Sequence, residues 1–231
     1  MNIALCHFRV GETDGVSLEM EKWKIELEKL GHKVIYIGGN AYEDTEVVDE
    51  LYYKNPLNDK IVYNAYVKLT DYTEEELEAE VKRSAKVIED KVTEIIKRRK
   101  IDVIVPNNIW SLGWGLPAAM GIHNAVLNTG IRAVVHNHDF YWERERYSKP
   151  TCSFVKRMLE VYFPPKGDKI KNAVINSLAQ KELLDRKGVD STIAPNVFDF
   201  EAQLWSIDDY NKDFRDTIGV KEDDILILQA T

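Results

Sequence analysis

The chain is poor in cysteine: Cys6 and Cys152 form no CxxC pair and leave no disulfide framework to read. Such usage suits a reducing compartment, and a cytoplasmic location is the expectation. Positive charge is not in excess either. A formal net charge of -8 is the wrong balance for displacing the counterions of nucleic acid, so no nucleic-acid partner is expected. No run approaches the ~20 consecutive apolar residues of a membrane helix, and no basic region precedes the first short apolar run, so neither a transmembrane segment nor a signal peptide is expected. Peripheral contact with a membrane surface is left open by these features. There is no GxGxxG fingerprint and no low-complexity tract. What remains is 231 residues, 44% of them hydrophobic. That is enough for one large domain, or for one domain and a piece of another.

The apolar runs alternate with helical patterns. "NIALCHF" reads as a buried parallel strand, and "VSLEMEKWKIELEKLG" as a helix with Leu18, Trp23, Leu27 and Leu30 at helical spacing and Gly31 at its left-handed end. "HKVIYIGG", "IDVIVPNN", "IRAVVHNH", "NAVIN" and "STIAP" read as further strands. Thr73 and Glu76 form a capping box for a long helix that is acidic early and basic late, which complements its dipole. Ser177 and Gln180 read as a second capping box. "SLGWGLPAAMGIHNAVLNTG" reads as a mostly apolar helix, and the tyrosine-rich segment 40–72 as an elaboration of short elements. Strands alternating with helices imply right-handed crossovers and a doubly wound, Rossmann-like parallel sheet, so the fold class is α/β. "DDILILQAT" reads as one more buried strand, the first of a further domain. The domains expected are therefore 1–205, and 206–231 as linker and first strand of a truncated second domain.

In an open parallel sheet, ligands bind beyond the carboxyl ends of the strands. "GETDG", Asn107-Asn108 and "HNHD" each follow a different strand at that end, and their convergence on one cleft is expected. Gly11 and Gly15 bracket the first loop before a helix N-terminus, where amides can approach an anion, although Glu12 and Asp14 oppose a tightly held phosphate. Turn geometry and a ligand role are level for these glycines. His136 and His138 make an HxH pair, but His7, His32 and His123 form no second cluster, so no metal site is expected. His136 reads as a satisfied core histidine, whereas His138 and Asp139 at the loop tip read as functional. Phe140, Tyr141 and Trp142, with Trp110 and Trp114, could wall a sugar site, though most aromatics are core. Phe140 and Trp114 are assigned to the core, and Trp142 and Trp110 are undecided. Arg144 and Arg146 alternate with Glu143 and Glu145 and read as solvated surface pairs. Ser177 has no GxSxG elbow around it and is no nucleophile.

Taken in order, these motifs resemble the N-terminal domain of the GT-B glycosyltransferases, specifically glycosyltransferase family 4. "DGVSLEMEKWKIELEKLGHKVIYI" is similar to the family's Gly-rich loop, first helix and "GHEV" strand, and "IDVIVPNNIWSLGWGLPAA" to its "DVVHVHN" strand and following helix. "VVHNHDFYWE" resembles "VVTVHDFWW", and "AVINSLAQKELLDRKGVDSTIAPNVFDF" resembles the segment ending in "PNGVD". "ILILQAT" matches the opening strand of the nucleotide-sugar domain. The resemblance implies that Gly15 stands at the second glycine of the Gly-Gly loop, with Asp14 in place of the first. It implies that His138 faces the donor sugar and reacting centre, and that Asn196 is the Asn of "PNGVD", with Val197 in place of its glycine. The family's paired donor-side Glu residues have no counterpart here.

The resemblance therefore implies the acceptor-side half of a retaining glycosyltransferase. His138 would be catalytic, and Gly15, Asn108, Asp139, Trp142 and Asn196 would bind substrate. No metal or other cofactor is implied; a nucleotide-diphosphate sugar is the co-substrate and a glycosyl acceptor the second partner. The missing C-terminal domain would complete the site, and the fragment alone would be inactive. Two contrasting readings are a self-contained, non-catalytic α/β small-molecule-binding module and an HxH metal-dependent hydrolase.

Overall fold

The apolar runs form seven parallel strands in the order β3-β2-β1-β4-β5-β6-β7. In chain order the elements are β1 (Asn2–Cys6), α1 (Gly15–Lys29), β2 (Lys33–Gly38), β3 (Thr45–Val47), α2 (Pro56–Tyr66), α3 (Glu74–Arg99) and β4 (Val103–Pro106). They continue with α4 (Leu116–Thr129), β5 (Arg132–Asn137), α5 (Glu145–Ser148), α6 (Ser153–Tyr162), β6 (Ile170–Val174), α7 (Ser177–Lys187), β7 (Ser191–Ile193) and α8 (Phe214–Thr217). The structure is a computed structural model that describes residues 1–198, 200, 206–221 and 223–227. The chain divides into two compact units, Met1–Asn196 and Val197–Thr231. No described helix is long and apolar enough to cross a membrane.

All strand pairs are parallel, and β1 is bracketed by β2 (Ile3 opposite Val34) and β4 (Ile3 opposite Val103). Strand order reverses between β1 and β4, which sets the switch point of this doubly wound α/β sheet there. The period of two along each strand sorts the core. Ala4, Cys6, Ile35, Ile37 and Ile104 join Leu77, Val81, Ile88, Ala119 and Ile122 of α3 and α4 on one face. Ile3, Leu5, Val34, Tyr36, Val103 and Val105 pack with Met20 of α1 on the other, and Trp23 and Leu27 cover them. Both faces are dry, which is why the central strands read as unbroken apolar runs.

Thr73 makes both bonds of its capping box: Glu76 N–H donates to Thr73 Oγ1 at 3.2 Å and Thr73 N–H to Glu76 Oε2 at 2.8 Å. The long helix α3 lies against α4, where Gly121 permits the approach. A Cβ there would meet the Ala85 carbonyl oxygen at 2.5 Å. Buried Glu89 on α3 accepts from Asn124 Nδ2 and Asn128 Nδ2 of α4 at 3.0 Å each. Its charge is thereby hydrogen-bonded rather than stranded.

The structure differs from the sequence readings at three places. The cap of α7 is Asn176, whose Oδ1 accepts from Ala179 N–H at 2.8 Å, and Ser177 is the first helical residue. Gln180 instead donates to the Ser191 carbonyl at 2.6 Å. Segment 40–72 holds an eleven-residue helix, α2, opened by Asn55 as cap and Pro56 at its first position; "NP" before an amphipathic run is a start signal that the tyrosines obscured. Helix α6 was also unread, although Phe154, Val155, Met158 and Leu159 are its buried stripe. β5 runs through His136 and Asn137, with Asn137 opposite Val174 of β6. The polar residues are tolerated because Asn137 Nδ2 donates to Asn172 Oδ1 and the Ala173 carbonyl.

The second unit holds α8. Of the expected strand "ILILQAT", residues Ile225 to Ile227 form no strand and Ile225 and Ile227 are exposed; 228–231 lie outside the described residues. A strand needs a neighbour for its ladder bonds, and these residues have no strand partner among the described residues.

Candidate functional site

The carboxyl edge of the sheet gathers the polar residues that the sequence scatters. β1 ends into His7, β4 into Asn107 and Asn108, and β5 into His136, Asn137 and His138. Asn107 is the hub. Its N–H donates to the Cys6 carbonyl at 2.8 Å, its carbonyl lies 2.8 Å from His7 Nδ1, and its Oδ1 lies 3.1 Å from His136 Nδ1. His136 Nε2 in turn lies 3.2 Å from the Ala194 carbonyl. His136 is fully buried, with Trp23 of α1 at a ring separation of 4.5 Å. It is the satisfied core histidine expected from the sequence.

His138 is next along the same side of the chain, 4.3 Å ring to ring from His136. Its Nδ1 faces Asn196 Nδ2 at 3.4 Å. Its Nε2 is buried and has no hydrogen-bond partner. Burial first, then the neighbouring His136 and His7 rings, push its pKa down to about 3, against a smaller opposing pull from Asp14. His7 is pushed down to about 4 by burial, opposed by its bond to Asn107 and by Asp14. Both rings are neutral near neutral pH.

Asn108 is brought to His138, but its side-chain oxygen is occupied. Oδ1 accepts from His138 N–H at 2.9 Å, Asp139 N–H at 3.1 Å and Ser111 Oγ at 3.1 Å. Its backbone sits at φ 56°, the left-handed region. Asparagine reaches that region more readily than most residues, and here three bonds hold it. Asp139 pairs with Arg144 at 2.9 Å. Gly15 is exposed at the start of α1, with open space where a Cβ would lie. The cap of α1 is Asp14, whose Oδ1 accepts from Val16 and Ser17 N–H and whose Oδ2 pairs with Arg9 Nε at 3.2 Å. The amides that could greet a phosphate are therefore already used by a carboxylate. Gly15, Asn108 and His138 all lie at this one edge.

The aromatics divide. Trp110 is fully buried and donates Nε1–H to the Ala119 carbonyl at 2.8 Å, so it is core. Phe140 is core as expected, and Trp114 packs edge-on against Phe8. Trp142 is half-buried, stacked on Phe140 at 4.3 Å, with the Arg186 guanidinium 5.5 Å over its ring. Asn196 is exposed and reaches the site through its contact with His138.

The cleft expected from the sequence includes Asn107 but not His7. The structure adds His7 to this edge: His7 and His136 share Asn107. The available signal was a lone polar residue at the end of the most apolar strand. Among the described residues no group of three His, Cys, Asp or Glu side chains is placed to hold a metal ion. A depression of about 700 Å³ lies at the opposite, amino edge. There Arg98 is tied to Glu46, and Arg99 to Glu46 and Asp44.

The histidine burial has a consequence for stability. Because folding holds His7 and His138 below the ordinary value of 6.5, the unfolded chain binds more protons as pH falls below that value. The stabilisation is complete above about 6.5 and is lost as pH falls toward about 4 for His7 and about 3 for His138. The slope is on the order of 1.4 kcal/mol per pH unit for each ring. Urea unfolding should show stability falling between about pH 7 and about pH 5, before most carboxylates titrate. A His7→Gln/His138→Gln double variant should flatten that fall, and an equally steep slope would mean that other groups cause it.

The fold and this edge thus define an open, doubly wound α/β domain with polar, imidazole-rich strand ends at the switch point. No family profile matches the chain. It is 41% identical over 232 residues to the mannosylglucosylglycerate synthase of Petrotoga mobilis and 37% identical over 234 residues to that of Thermotoga maritima. Each match covers 100% of this chain and 53% of the relative, so the chain spans about half the length of the curated relatives it matches. Among solved structures it is similar to an alpha-glucosyltransferase in complex with UDP-glucose and DNA containing an abasic site. That match has a TM-score of 0.38 and 13% identity, and covers 84% of this chain and 42% of that one.

Proposed function

We propose that this chain is the acceptor-side, N-terminal domain of a retaining GT-B glycosyltransferase resembling family 4. The longer protein would move a sugar from a nucleotide-diphosphate sugar to an alcohol. The observation that carries the reading is similarity along the whole chain to two mannosylglucosylglycerate synthases. Their name suggests mannose as the transferred sugar and glucosylglycerate as the acceptor here. In the transfer, the bond from the anomeric carbon to the phosphate oxygen breaks and one to the acceptor oxygen forms. The acceptor hydroxyl's proton leaves with the diphosphate. The second domain, in the half of the protein beyond this chain, would hold the diphosphate and stabilise its charge.

On this reading His138 contacts the donor sugar, and Asn196 and Asn108 fix its ring and its backbone. The chain's neutral imidazoles suit hydrogen bonding to sugar hydroxyls rather than charge pairing. No metal takes part, and the site works in the cytoplasm.

The test is a protein of the relatives' length incubated with nucleotide sugars and glucosylglycerate, with the product linkage read by NMR. Transfer with retained anomeric configuration is expected. Inversion would remove the retaining mechanism, and no transfer to any alcohol would remove the transferase. The 231-residue chain alone should bind nucleotide sugars no tighter than about millimolar, roughly -4 kcal/mol. Micromolar binding would favour the self-contained binding module instead.

A further inference from the structure

His7 stands at the carboxyl end of β1, beside the switch point, and its ring carries information that its neighbours do not. Its Nδ1 lies 2.8 Å from the main-chain carbonyl of Asn107. A carbonyl oxygen can only accept, so Nδ1 carries the proton. The carbonyl cannot turn away, because the Asn108 N–H of the same planar peptide group is bonded to the His136 carbonyl at 3.1 Å. Burial keeps the ring neutral, with its pKa pushed down to about 4. A neutral imidazole has one proton, so Nε2 presents a bare lone pair.

That lone pair is unused. The Nδ1 bond is the ring's one hydrogen bond among the described residues, and Nε2 is not among the sealed, unpartnered atoms that include His138 Nε2. It therefore keeps some exposure on a side chain that is otherwise buried, 6% exposed. A histidine kept for structure alone has no need of such an arrangement. His136 shows the contrast, with an oxygen against each ring nitrogen. His7 has one nitrogen locked and the other free, at the edge where the site forms.

We propose that His7 is a second substrate-contacting imidazole of this cleft, accepting at Nε2 a hydrogen bond from the attacking hydroxyl of the glycosyl acceptor. This rests on the transferase reading given above. It assigns His7 and His138 different substrates: the acceptor alcohol for His7, the donor sugar for His138. Asn107 is the positioning residue, because its carbonyl sets which nitrogen of His7 is bare.

Two substitutions separate this role from a structural one. In a protein of the relatives' length, His7→Asn keeps a donor where Nδ1 was and removes the acceptor at Nε2, whereas His7→Gln places an amide oxygen near the Nε2 position. His7→Asn should raise KM for glucosylglycerate about tenfold, the scale of one lost hydrogen bond. KM for the nucleotide sugar should stay within about twofold, and His7→Gln should recover most of the loss. An unchanged acceptor KM in His7→Asn, or an equal rise in the donor KM, would overturn the assignment. A second reading needs no variant and no turnover: long-range proton–nitrogen NMR of the wild-type chain should show Nδ1 protonated and Nε2 bare. Glucosylglycerate added at millimolar concentration should shift Nε2. A protonated Nε2 sinks the proposal even if the protein transfers sugar, whereas a bare Nε2 that responds to glucosylglycerate in a protein without transfer activity would leave His7 as an alcohol-binding group and sink the transferase instead.

Discussion

Replacing His138 by alanine in the full-length protein is expected to lower turnover by roughly 10²-fold while leaving the melting temperature nearly unchanged. The loss is the scale of one missing transition-state contact. Its basis is the unpartnered, buried Nε2. A buried polar atom without a partner costs free energy in the folded protein, so removing it should relieve about as much as the lost ring packing against His136 costs. The fold therefore has little stake in this ring, and function has a large one. Steady-state kinetics beside thermal melting checks both halves. Full activity in the variant would show that the ring contacts nothing reactive, and a large fall in melting temperature with turnover intact would make it a core residue.

Trp110→Ala should do the reverse, lowering unfolding free energy by about 3–5 kcal/mol. The indole is fully buried between the sheet and α4, and its Nε1–H reaches the Ala119 carbonyl at 2.8 Å. The substitution leaves a cavity and removes an indole hydrogen bond to a helix carbonyl that keeps its main-chain partner. In the full-length protein neither substrate's KM should move by more than about twofold, because the ring reaches no part of the cleft. Urea unfolding of the chain measures the first effect. A loss below about 1 kcal/mol would mean that the site collapses around the gap or that the indole is not core.

The contrast between Trp110 and His138 shows what was legible in the sequence. Strands, helices and the parallel sheet could be read because their signals are local: runs such as "NIALC", the Thr73 capping box, the glycines closing helices. That His138 and Asn108 meet was legible from topology alone, since both follow strands at their carboxyl ends. The fate of an aromatic was not, because Trp110 and Trp142 look alike in sequence and differ only in which neighbours enclose them. The bond between His7 and Asn107 was hidden for the same reason. Their relation depends on β1 lying beside β4, and no local pattern encodes that adjacency. Asp14, read as a misplaced residue in a glycine loop, turned out to be a helix cap, a role set by a few backbone angles.

That adjacency also governs how the domain must come together in time. Ile3 pairs with Val103 and Ala4 with Ile104, so the middle of the sheet joins segments about a hundred residues apart. Loop closure over that span must precede any reward from the β1–β4 ladder. On a ribosome, β1, α1 and β2 can form a local unit early, but His7 meets Asn107 only after α3 and β4 have emerged. The cleft should be the last part of the domain to acquire native order, and refolding should be slow, on the millisecond-to-second scale of folds dominated by distant contacts.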